Sequence, residues 1–156
     1  ASLTLNENAS PDVRRDLEPE LRSEATGGLA SRVSVHPGVR QALYERQRAF
    51  ALQEGGAVLD GRDIGTVIAP EAEVKLFVVA SVTARAERRF KEMQQAGRAV
   101  SLAEIAADLE ARDLRDRTRA EAPLVAAADA VLLDTSDMAR DEAIAAAIRI
   151  AERTQR

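Results

Sequence analysis

Apolar residues follow two periods along this chain. Short continuous runs occur at 57–59 (Ala57, Val58, Leu59), at 74–81 (VKLFVVAS) and in the ADAVLLD stretch that ends at Asp134. Their length and β-branched content predict buried strands. Elsewhere apolar residues recur every three or four positions, the period of a helix with one buried face. Pro37 suits the first turn of a helix running to about Gln53, with Val39, Ala42, Leu43 and Phe50 on its apolar side and Gly55-Gly56 as its stop. Ser81 is placed to cap a helix with the stripe Val82, Ala86, Phe90 and Met93, ended by Gly97. Another starts near Ser101 or Leu102 and turns Leu102, Ile105 and Leu109 inward. A C-terminal helix from about Ala139 has Ile144, Ala147, Ile148 and Ala151 as its inner face. Strands alternating with helices predict an α/β fold, a parallel sheet covered by helices. Ahead of these elements, SLTLN reads as half of a hairpin. The polar, proline-punctuated ENASPDVRRDLEPELRSEA that follows reads as loop and short turn, and a Gly27-Gly28 pair then leads to LASRVSVHP.

The stretch AVLDGRDIGTVI, residues 57–68, organises the rest. Its apolar start gives way at once to Asp60, Gly61, Arg62 and Asp63. In open α/β sheets, ligands sit just beyond the carboxyl ends of strands. A carboxylate and a guanidinium delivered there side by side suit a polar, anionic small molecule. Asp-Gly is equally a hairpin-turn signal, so turn and site both stand on these residues alone.

Composition narrows the classes. The 156 residues are 46% hydrophobic and 31% charged, which predicts one folded domain. A net charge of −4 with one Tyr and three Phe argues against a nucleic-acid partner and against a membrane surface. There is no cysteine and a single histidine, His36, which argues against a disulfide scaffold and a zinc site. No apolar run approaches the roughly 18 residues of a membrane span. With no signal peptide visible, a cytoplasmic location is expected. Of 22 basic residues only Lys75 and Lys91 are lysine. Arginine's planar fork fits phosphate and carboxylate better than an ammonium does.

The helix after Leu109 loses its apolar stripe and gains charge. Arg112, Arg115 and Arg119 share a face, with Asp116 at its edge. Asp108 with Arg112, and Asp113 with Arg117, have the i,i+4 spacing of helical ion pairs. A solvated, salt-bridged helix is one reading. A loosely anchored arginine lid closing over phosphates is the other.

Taken together, LDGRDIGTV, VKLFVVAS, ARAERRF, RDLRDRTRAEAPL and ADAVLLDTS, in this order and spacing, resemble bacterial cytidylate kinases, the CMP/dCMP kinases among the P-loop nucleoside monophosphate kinases. The upstream ELRSEATGGLASRVSVHPGVRQALYERQRAF is similar to the segment that precedes the family's DGRD strand. The resemblance implies a helix-covered parallel sheet of the P-loop NTPase kind. Residues 1–36 would belong to a substrate-binding insert, and 37–156 to the core, with a lid at about 98–122. It implies transfer of the ATP γ-phosphoryl, with Mg2+, to CMP or dCMP. Ser31, Arg40 and Asp63 match base-reading positions. Asp63 would accept from the cytosine amino group, while Arg40 and Ser31 donate to the ring nitrogen and O2 face. Arg62 matches a substrate-phosphate arginine, and Arg112 and Asp116 match ribose-side and phosphate-side contacts. Arg119 matches a lid arginine of the phosphate clamp, and Arg89 one near the ATP phosphates.

One departure stands out. No GxxxxGK[ST] loop occurs, and neither lysine lies in such a setting. The chain resembles the last two-thirds of a cytidylate kinase: a fragment, a truncated form, or the ordered part of a longer polypeptide. It is expected to be inactive alone and to lean on a missing N-terminal segment or on self-association at an exposed sheet edge. A noncatalytic cytidine-nucleotide module and an arginine-rich RNA-binding protein are the alternatives.

Overall fold

The computed structural model describes residues 24–120 and 122–154. The SLTLN hairpin expectation lies outside them. The described elements are helices α1 (Glu24–Val33) and α2 (Pro37–Ala51), a π-turn (Ile64–Ile68), strand β1 (Leu76–Val79), helices α3 (Val82–Gln95) and α4 (Leu102–Thr118), strand β2 (Val131–Asp134) and helix α5 (Arg140–Thr154). The fold is α/β. β1 and β2 pair in parallel with Leu76 opposite Val131 and Val79 opposite Asp134. Helices α3 and α4 form the crossover that parallel neighbours require.

The helix ends follow local chemistry. Ser81 Oγ accepts from the Ala84 amide and starts α3. Ser101 and Glu104 make a reciprocal capping box at the start of α4. Ala86, Met93 and Ile105 are buried between α3 and α4, with Phe90, Val100, Ala106 and Leu109 packed against them. This cluster fixes the first half of α4 on α3.

Several expectations are corrected. Residues 57–59 form no strand; Val58 is 94% exposed. An apolar run becomes a strand only when a neighbour completes its ladder, and no described strand pairs with it. The end of the stretch read as loop, Glu24 and Ala25, already belongs to a helix, and α1 continues through the Gly27-Gly28 pair, for which no helix was expected. Gly27 gives close approach: a Cβ there would lie 3.3 Å from Arg112 NH1. The α2 helix buries none of its residues fully, and Phe50 is half exposed. On α5 the inner residue is Ala146, while Ile144 and Ile148 face outward, so the expected stripe is rotated. The strands themselves are shorter than their apolar runs, four residues each.

Candidate active site

A cleft of about 710 Å³ opens between α1, α2, the 61–68 segment and the end of α4. It is lined by Ser31, Arg40, Arg62, Asp63, Arg112, Asp116 and Arg119, among others. Seven of the eight residues singled out in the sequence therefore meet in one place. The eighth, Arg89, is half-buried on α3 and is not part of the lining. Its charge nonetheless reaches Arg112.

Asp63 sits at the head of the π-turn. Its carbonyl accepts from the Val67 amide at 2.8 Å, and buried Ile68 and Ala69 anchor the far end of the turn. Its carboxylate is thereby held toward Arg40 on the first turn of α2, and the two form an ion pair. Arg62 turns the other way: its Nε donates to Asp116 Oδ2 at 3.1 Å. Asp116 is buried at 4% exposure and works as a hub. Ser31 Oγ donates to Asp116 Oδ1 at 3.0 Å and accepts from Arg115 NH1 at 3.0 Å. The Leu124 amide donates to the Asp116 carbonyl at 2.7 Å, tying the following loop to the helix end.

The arginines are not all satisfied. Arg119 Nε donates to the Ala122 carbonyl and NH1 to Ser34 Oγ, but its buried NH2 has no hydrogen-bond partner among the described residues. Buried Arg112 Nε is likewise without one, its nearest carboxylate oxygen on Asp116 being 4.0 Å away. Burial lowers the pKa of the Arg112 guanidinium, and the charges of Arg62, Arg89 and Arg115 push the same way, against Asp116. Burial also lowers that of Arg119, reinforced by Arg40 and Arg62 and opposed by Asp63 and Asp116. Both directions come first from burial of the guanidinium and then from neighbouring cations, and an anion alongside would oppose them. Four arginines in the lining face two aspartates, leaving two positive charges in a protein whose net charge is −4.

Helical ion pairing differs from the expected pattern. Asp113 leaves Arg117 and takes Arg85 of α3 in a two-pronged contact, 2.9 and 2.5 Å. Arg112 leans to Asp116 instead of Asp108. Sequence reasoning also missed Ser34 and Tyr44, both in the cleft wall. Tyr44, the only tyrosine, follows Arg40 by four residues on α2, so helical spacing could have found it. Ser34 lies beyond the end of α1, a helix hidden by its glycine pair. With Val33, Val39 and Val67, Tyr44 gives the charged cleft an apolar side. Planar apolar rings and anionic groups can thus be held together here.

A second cavity, of about 350 Å³, lies between Leu59–Thr66 and β1 and includes Asp60, Arg62, Lys75 and Arg85 in its wall.

Comparison with known proteins places the chain in a family. Residues 5–153 match the family model described as cytidylate kinase. A cytidylate kinase from Caulobacter sp. (strain K31) is 56% identical over 141 residues, 90% of this chain and 65% of that protein. The cytidylate kinase of Azorhizobium caulinodans is 56% identical over 89% of this chain and 68% of its own length. That of Paramagnetospirillum magneticum is 50% identical over 96% of this chain and 74% of its own length. The matched part of the chain thus spans about two thirds of the length of these relatives. A family match over nearly the whole chain, together with identities of this size, establishes that the chain belongs to the cytidylate kinase family.

Proposed function

We propose that the cleft binds CMP or dCMP and presents its phosphate to the γ-phosphoryl of ATP, giving CDP or dCDP. The observation that carries this reading is the convergence of Ser31, Arg40, Asp63, Arg62, Arg112, Asp116 and Arg119 on one cleft, with two buried arginine nitrogens there still lacking acceptors. In this reading α1 and the residues before it serve the substrate insert, and α4 with the loop after it serves as the lid.

The chemistry of the residues fits these roles. Asp63 is a hydrogen-bond acceptor and suits the amino group that distinguishes cytosine from uracil. Arg62, Arg112 and Arg119 place cations around the substrate phosphate. Phosphoryl transfer needs alignment and neutralisation of the transferring oxygens more than covalent help. Asp116 keeps Arg62 and Ser31 oriented before substrate arrives. Arg89, behind Arg112, is assigned to the ATP side. Magnesium is implied by the family. Among the described residues no cluster of three His, Cys, Asp or Glu side chains gathers to hold it.

The chain contains no GxxxxGK[ST] loop, so by itself it is expected to form no CDP. A hybrid that adds to this chain the part of the Caulobacter relative it does not cover should form CDP from ATP and CMP. In that hybrid, Arg119→Ala should lower kcat by about 10²-fold or more with a smaller change in KM, as for other donors felt mainly in the transition state. Equal kcat with a raised KM would make Arg119 a ground-state binding residue. A hybrid that binds CMP but forms no CDP would favour a noncatalytic nucleotide-binding module.

A further inference from the structure

Helix α4 is held in two different ways along its length. Its first half rests on the apolar cluster of Ala86, Met93 and Ile105. Past Leu109 that support ends: Leu114 is 64% exposed, and the buried residue is Asp116. The bonds of Arg115 and Asp116 run to Ser31, Arg62 and the loop at Leu124, within or beside the cleft. The contact of Arg85 with Asp113 is different. Two guanidinium nitrogens meet two carboxylate oxygens at 2.9 and 2.5 Å. The remaining nitrogen, Arg85 Nε, donates to the Ala80 carbonyl just past β1 at 3.1 Å. One side chain therefore joins the end of β1, α3 and α4, and neither Arg85 nor Asp113 lines the cleft. A fork-on-carboxylate contact fixes direction as well as distance.

We propose that Arg85 and Asp113 are positioning residues for the cleft: their pair pins α4 to the end of the sheet just before Asp116 and so sets where Arg112, Asp116 and Arg119 stand. The effect on ligand binding rests on the nucleotide reading above; the effect on the helix does not.

The test compares the 156-residue chain with Arg85→Met, Arg85→Lys, Asp113→Asn and the double variant Arg85→Met/Asp113→Asn. Amide hydrogen exchange and CMP titration calorimetry are the readouts. In Arg85→Met and in Asp113→Asn, exchange at 114–119 should quicken by about tenfold while 105–110 stays as in the parent, since a bond between charged groups is lost from one half of the helix only. CMP affinity should fall by about tenfold in the same variants. The double variant should lose no more than either single one, because both remove the same contact. Arg85→Lys, keeping charge without the fork, should fall between. Unchanged exchange at 114–119, an equal rise in both halves of α4, or losses that add in the double variant would each overturn the proposal. If the parent binds no CMP, the nucleotide reading fails and exchange alone decides the positioning role.

Discussion

Asp63 carries the choice of base in this account, and its position beside two arginines in sequence and space supplies the rival role, that of holding a guanidinium in place. Its partner is Arg40; Arg62 belongs to Asp116. Asp63 therefore does not serve as the holder of Arg62. Asp63→Ala should weaken CMP binding far more than UMP binding, by about five- to 150-fold, the range for one good base-edge contact. Calorimetric titration with both nucleotides measures it. Equal losses would reduce Asp63 to a support for Arg40. Arg62, Asp63 and the charged face of α4 stood out from chemistry and spacing, whereas Ser31 and Arg40 came only with the family resemblance. The pairings were not legible, because Arg40 and Asp63 are 23 positions apart, and Ser31 and Asp116 are 85 apart. Spacing along one helix predicts only local partners, and here tertiary ones won: Asp113 chose Arg85, 28 positions away, over Arg117.

At the scale of elements, α3 and α4 were readable because their apolar stripes and serine caps agree. Helix α1 was not. A glycine pair costs helix propensity, and the local signal gave no helix there. Packing reversed it, since the bare Gly27 lets Arg112 approach. The run at 57–59 failed in the opposite sense, with a good strand pattern and no described neighbour to pair with. The clamp between α3 and α4 has a pH signature. Its hydrogen bonds to Arg85 hold the Asp113 carboxyl below its ordinary value of 3.8. A carboxylate whose folded pKa is depressed stabilises above its unfolded pKa and loses that contribution as pH falls through the folded value. The stability gap between the parent and Asp113→Asn should therefore be present at neutral pH and close progressively below about pH 4. Urea unfolding across pH 2.5 to 7 measures this, and a gap independent of pH would contradict it.

For the whole molecule, the described sheet has two strands, and apolar surface on and near it stays uncovered: Val78 is 58% exposed and Leu132 64%. Among the described residues the buried apolar ones are few, seven in all, and three of them are alanine. Much of the order around the cleft is polar, built from arginines and aspartates that α1, α2, the 61–68 segment and α4 bring together. Such a site gains from an anion that answers its excess positive charge. The most direct measurement is calorimetric titration of the 156-residue chain with CMP, dCMP and UMP in turn, at fixed salt. The account predicts saturable one-to-one binding of CMP or dCMP, with UMP weaker by at least about fivefold. No binding of either cytosine nucleotide at millimolar concentration, or equal affinity for CMP and UMP, would contradict it.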